Sequence, residues 1–314
     1  MQDVKNRIAF IFPGQGSQHV GMGKDWYEGS PIAKEMFARA NEILNFDIAR
    51  ICFDGPEDQL RQTEITQPAI FLHSAVAFTL LNSRRFAAAA GHSLGEYSAL
   101  FAAGAIDFEH AFMLVGLRGR LMQHAGDVRY GTMAAVVGLD QKFVEDVCSE
   151  ASQSGVVQPA NYNSPGQIVI SGDVDAVHKA MEIAKARGAK VVKELVVSGA
   201  FHSPLMEAVK TELKKAIDAA PFHDASVPVY TNVTGKPVRS ASEIKDSLIR
   251  QLTNPVRWQE SIVNMSNDGV SSFVEIGPGK VLQGLVKRTL SGGKVSGIDK
   301  MGDAEVYAKS EIGK

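Results

Sequence analysis

Ile8-Ala9-Phe10-Ile11-Phe12 is an unbroken apolar run closed by Pro13-Gly14. Such a run predicts a strand buried on both faces, as in a parallel sheet. Ser30-Pro31 supplies a cap and a proline at the first helical position, and Ile32, Met36, Ala40 and Ile43 then repeat at helical spacing. A second helix is predicted from about Gln67 to Leu81, a short strand over Phe86–Ala90, and further helices from Leu94 and over Phe108–His124. Strands alternating with helices predict an α/β sheet covered on both faces.

The middle third has another rhythm. Strands are predicted over Thr132–Gly138, Val156–Ala160, Ile168–Ser171 and Lys190–Val197, with helices over Gln141–Ser152 and Asp175–Arg187. That βαββαβ order is the ferredoxin-like arrangement. Residues 128–198 are therefore expected to form a small domain inserted into a larger one built from 1–127 and 199–314.

Composition narrows the class. Hydrophobic residues make up 45% and charged residues 22% of 314, the balance of a globular protein large enough for a packed core. A net charge of −2 with interspersed signs gives no basis for capturing nucleic acid. Cys52 and Cys148 can build neither a disulfide framework nor a metal site, and suit a reduced cytoplasm. The first apolar run is too short for a signal-peptide core. The stretch Ala69–Leu81, interrupted by His73, Ser74 and Thr79, is too short to span a membrane.

Chemistry enters with Gly91-His92-Ser93-Leu94-Gly95, a G-x-S-x-G nucleophile elbow between a predicted strand and a predicted helix. The glycines let strand and helix approach, and a helix N-terminus at Ser93 offers backbone N–H groups to an oxyanion. A serine nucleophile needs a base. His202, in a loop directly after the last strand of the insert, is the best placed of the eight histidines. His92 should point away from the serine and be structural. The loop Pro13-Gly14-Gln15-Gly16-Ser17-Gln18 lacks both the dinucleotide and the Walker patterns, which leaves a tight turn able to aim a backbone N–H at a reacting centre. Arg118 falls on a helical stripe otherwise made by Ala111, Val115 and Met122. A guanidinium buried there needs a distant acid or a ligand carboxylate. A generic esterase or thioesterase would need an acidic triad member before the histidine; Asp173 and Asp175 are the residues in that interval, inside the insert.

These motifs occur together with Asn161-Tyr162-Asn163-Ser164-Pro165-Gly166-Gln167, Pro255-Val256-Arg257-Trp258 and Glu275-Ile276-Gly277-Pro278-Gly279. In that order, over about residues 7–300, the chain resembles the malonyl-CoA:acyl carrier protein transacylase family, whose relatives also serve polyketide synthases. The resemblance implies a hydrolase-like α/β domain with a ferredoxin-like insert. It implies Ser93 as the acylated residue and His202 as its base, oriented by the backbone carbonyl of Gln251. It further implies an oxyanion hole from the N–H groups of Gln15 and Leu94, and Arg118 as the seat of the malonyl carboxylate. Asn163 would line the site from the small domain, and Phe201 would crowd out a methyl-branched acyl group. Malonyl-CoA and acyl carrier protein are the implied partners, with no metal or redox cofactor. Lys280, Lys287 and Arg288 are candidates for a local basic patch facing the carrier.

Overall fold

Two sheets organise the chain in the computed structural model, which describes residues 7–81 and 85–312. The described strands are β1 (Ile8–Phe12), β2 (Ala88–Gly91), β3 (Gly131–Val137), β4 (Val157–Ser164), β5 (Gln167–Asp173), β6 (Val191–Glu194), β7 (Val229–Tyr230), β8 (Pro237–Val238), β9 (Ser272–Ile276) and β10 (Lys294–Ile298). The larger sheet runs β10-β9-β1-β2-β7-β8, parallel except for the β7–β8 pair. The protein is thus α/β with a mixed sheet.

The apolar run at β1 sits at the centre of this sheet and is buried along its length. Phe10 and Phe12 face one hydrophobic core; Ala9 and Ile11 face a second, with Trp258, Ile262 and Met265. The period-2 geometry of a strand divides the run between the two layers. Register matters for function: Phe12 stands opposite Gly91, and the His92 N–H donates to the Phe12 carbonyl (3.0 Å). The turn after β1 and the turn after β2 are thereby placed side by side.

Two helices complete the framework. Thr63–Thr79 is buried on nearly every side, as expected for a helix apolar all round, and begins a turn earlier than its apolar run. Phe108–Val128 packs across it, capped by Asp107, whose carboxylate accepts from the His110 N–H. A Cβ on Gly119 would lie 3.1 Å from the Glu64 backbone, and one on Gly126 would lie 1.6 Å from the Ser198 carbonyl. The missing side chains let the neighbouring helix and the 198–202 segment press against this helix.

The smaller sheet is antiparallel, ordered β4-β5-β3-β6. Helices Gln141–Ala151 and Val174–Ala186 cover it through a core of its own, including Val136, Val144, Val147, Ile168, Ile170 and Val177. β4 runs four residues past its predicted end at Ala160 and ties the smaller sheet to the segment around Val256. The Tyr162 N–H donates to the Val256 carbonyl (2.9 Å) and the Val256 N–H to the Ala160 carbonyl (2.8 Å). β6, conversely, is only Val191–Glu194, shorter than predicted. In the helix Pro31–Leu44 the inward face is Ala33, Phe37 and Ala40, while Ile32 is half exposed. The stripe read through Ile32 and Met36 is offset by one residue from the true one.

Candidate active site

Ser93 occupies the turn between β2 and the helix Gly95–Ala102, with φ at 53°. A left-handed conformation is costly for a serine and persists only where its surroundings fix it. The fixing groups are visible. The Ser93 N–H donates to Asn232 Oδ1 (2.6 Å), and Asn232 Nδ2 donates to the Gly91 carbonyl (2.6 Å). The Ser93 carbonyl accepts from the Glu96 N–H (3.1 Å) and from Gln251 Nε2 (3.0 Å). A Cβ on Gly91 would lie 1.8 Å from the Gly95 carbonyl oxygen, and one on Gly95 would lie 2.1 Å from that of Phe12. Strand, turn and helix can meet this closely only with glycine at both places.

His202 is buried and also left-handed, with φ at 56°. Its Nδ1 lies 2.9 Å from the Gln251 carbonyl and its Nε2 lies 2.8 Å from Ser93 Oγ. A carbonyl can only accept, so Nδ1 carries the proton and Nε2 is left to receive one from the serine. Burial first, then the nearby charge of Arg118, hold the imidazole down to about 3, so it is neutral across the physiological range. Gln158 on β4 donates to the His202 carbonyl (2.8 Å), tying the loop to the small sheet. Asp173, the esterase-type alternative, is engaged by Arg129 and by the Val156 N–H, and the His202 ring is oriented by main chain rather than by a carboxylate.

Arg118 is fully buried and reaches the nucleophile: its Nη2 donates to Ser93 Oγ (3.1 Å) and to Gln251 Oε1 (3.0 Å), its Nη1 to Gln67 Oε1 (2.6 Å). Its Nε has no partner among the described residues, and the guanidinium lies 5.9 Å from the Tyr97 ring centre. The sequence offered two partners for this arginine, an internal acid or a ligand carboxylate; the groups touching it are two amides and a hydroxyl.

A cleft of about 690 Å³ adjoins the elbow, with His92, the neighbour of Ser93, on its wall. Its walls include Gly14, Gln15 and His92 on one side and Val169, Lys193 and Leu195 on the other. Gly14 abuts the elbow, since a Cβ there would lie 2.4 Å from the His92 carbonyl. The backbone N–H groups of Gln15 and Leu94 donate to no protein acceptor among the described residues. His92 Nε2 donates to Asn163 Oδ1 (2.8 Å), and both residues line the cleft. Phe201 is buried in the main core beside Gly199. Lys280, Lys287 and Arg288 are exposed, and Arg288 alone of the three reaches the cleft wall. Among the described residues no group of side chains could hold a metal ion, and no helix is long and apolar enough to cross a membrane.

Four contributors escaped the sequence: Gln67, Asn232, the side chain of Gln251, and Glu96. Glu96 Oε2 accepts from the Asn232 N–H (2.9 Å) and from Gln251 Nε2 (2.9 Å). Burial pushes its carboxyl up to about 7, against these hydrogen bonds and the charge of Arg118. A signal was present. Glu96 stands as the one charged residue in the helix Gly95–Ala102, an ionisable group among mostly apolar neighbours, which is the same anomaly that marks Arg118.

The chain matches the acyl transferase domain family over residues 9–308. It is 45% identical over 286 residues to the malonyl CoA-acyl carrier protein transacylase of Bacillus subtilis, covering 90% of each chain. An acyl carrier protein S-malonyltransferase of Vibrio cholerae superposes with a TM-score of 0.92 at 42% identity, over 96% of this chain and 99% of that one. A malonyl-transacylase solved in complex with a type II PKS acyl-carrier protein superposes with a TM-score of 0.91 at 38% identity, over 97% and 99%. With Ser93, His202 and Arg118 converging in one buried cluster on this fold, the chain belongs to the acyl transferase family, among the malonyl CoA-acyl carrier protein transacylases.

Proposed function

We propose that this protein transfers the malonyl group from malonyl-CoA to the phosphopantetheine thiol of acyl carrier protein, supplying extender units for fatty acid synthesis. The observation that carries the reading is a buried arginine whose Nη2 lies 3.1 Å from the nucleophilic oxygen (a position from which it can grip a carboxylate on the acyl group). Ser93 Oγ attacks the thioester carbonyl while His202 Nε2 takes its proton. The N–H groups of Gln15 and Leu94 receive the oxyanion, and the coenzyme A thiol leaves with the proton from His202. The carrier thiol then reverses these steps on the malonyl-serine, which is ping-pong chemistry. The substrate carboxylate, set on Arg118, offsets one of the causes that depress His202 and so strengthens the base when it is needed.

Exchange of a thioester for an ester and back moves only protons and the acyl group, so the reading includes no metal or redox cofactor. Two free, buried cysteines support a reduced, cytoplasmic setting. The βαββαβ order, a separate core and the Gln158 and Tyr162 ties support a ferredoxin-like insert over residues 128–198 in a hydrolase-like domain formed by 1–127 and 199–314. Intact mass after mixing with malonyl-CoA should show one malonyl adduct, discharged by carrier protein. An adduct that water removes as fast as the carrier does would make the enzyme a thioesterase instead.

A further inference from the structure

Arg118 touches only neutral groups, Gln67, Gln251 and Ser93, and forms no direct ion pair among the described residues. The carboxylate that acts on it is one amide away. Gln251 takes the Arg118 Nη2–H on Oε1 (3.0 Å) and gives its own Nε2–H to Glu96 (2.9 Å). Both charged residues are about 1% exposed. By themselves the two charges balance. A malonyl carboxylate seated on Arg118 adds a second anion to a buried cluster that has one cation. Uncompensated buried charge is costly enough that a titratable group takes a proton instead.

We infer that Glu96 is a proton-accepting counter-ion: it balances Arg118 while the site holds a neutral acyl group and takes up one proton when a malonyl carboxylate occupies Arg118. This rests on Arg118 as the seat of the carboxylate. Glu96 touches no reacting atom, and acts as a positioning residue through Gln251 and Arg118. The balance is complete: malonyl-CoA, the Ser93 hydroxyl, the Glu96 carboxylate and a proton from solvent give malonyl-serine, the coenzyme A thiol and protonated Glu96. Acetyl-CoA gives acetyl-serine and the thiol with no proton taken up.

The surroundings leave Glu96 as the group that titrates. Burial already holds it at about 7, and losing the attraction of Arg118 to a substrate anion drives it higher. Arg118 stays charged, Tyr97 beside it is pushed up to about 12, His202 is held down to about 3, and His92 is lowered by burial. The helices Thr63–Thr79 and Ala241–Gln251 turn amides, Gln67 and Gln251, toward the cluster.

Stoichiometric acylation in weak buffer with an indicator dye, near pH 8, tests this. Malonyl-CoA should take up close to one more proton per enzyme than acetyl-CoA, since the released thiol is common to both. In the wild type the malonyl-to-acetyl ratio of kcat/KM should fall roughly 10–30-fold between about pH 6.5 and about pH 8.5, as a one-proton linkage requires. In Glu96→Gln both the extra uptake and the slope should vanish. If that variant fails to fold, the two wild-type measurements decide alone. Equal proton uptake from both donors with a flat ratio would overturn the inference. Should Arg118→Ala still abolish the malonyl preference in that case, the carboxylate seat would stand without the counter-ion. Loss of neither preference nor slope in Arg118→Ala would sink both.

Discussion

At Ser93 one oxygen receives a guanidinium hydrogen bond while its own proton faces an imidazole nitrogen. No other nucleophile shares the cluster, so Ser93→Ala should fold normally and form no acyl-enzyme by intact mass. A malonyl adduct on that variant would remove the serine from the mechanism. His202→Ala should slow acylation by a factor on the order of 10²–10⁴, the usual worth of positioned proton transfer. Arg118→Ala separates this enzyme from a generic serine hydrolase. Removing one partner of a desolvated ion pair costs about 3–5 kcal/mol, much of it from the charge left alone. Malonyl transfer should therefore fall roughly 10²–10³-fold, each ~1.4 kcal/mol being tenfold. Acetyl transfer, which brings no carboxylate, should be spared, so the preference inverts. A stable Arg118→Ala enzyme that still favours malonyl-CoA would exclude the clamp.

The elbow is a property of elements rather than of its serine. β2 is almost all alanine, and that composition, poor for an isolated strand, suits a strand squeezed between β1, β7 and a closely packed helix. Gly91→Ala would push a methyl into the Gly95 backbone, with no flexible side chain available to yield. It should destabilise the fold by at least about 1–3 kcal/mol, as overpacking does, and abolish labelling of Ser93 by a serine-directed reagent. Wild-type melting temperature and labelling would show that the two segments tolerate separation. The motif residues were legible before the fold because glycine spacing, an arginine on an apolar stripe and a histidine after a strand are local signals. Gln67, Asn232 and the side chain of Gln251 were not, because polar amides far apart in sequence say nothing until tertiary packing points them at one centre. The shifted face of Pro31–Leu44 has a similar cause: Phe37 outcompetes Ile32 for the core, a choice that spacing alone cannot make. The polar residues at the end of β4 hide its length from the sequence, whereas Asn161, Tyr162 and Ser164 pair with β5 and the Tyr162 N–H also reaches Val256.

The whole molecule sets how an acidic protein partner can reach a half-buried serine. With a net charge of −2 the enzyme has no global attraction for a typically acidic carrier protein, so docking depends on local charge near the cleft. Lys287 and Arg288 close the helix Val281–Thr289, where a cation also complements the helix dipole. Arg288 lies on the cleft wall and donates to Ser164 Oγ (3.4 Å), so changing it would disturb both half-reactions. Lys287 is exposed, outside the cleft, and forms no ion pair among the described residues, which makes it the cleaner probe. Lys287→Glu should slow transfer from malonyl-serine to the carrier several-fold, up to about tenfold at low salt, because rim charges act chiefly on encounter rate. Acylation by malonyl-CoA should change far less, and added salt should shrink the difference as exposed charges are screened within about 10 Å at 0.1 M. Single-turnover rates for the two half-reactions at two salt concentrations measure this directly. Equal slowing of both, or a carrier defect indifferent to salt, would place the docking surface elsewhere on the rim of the cleft.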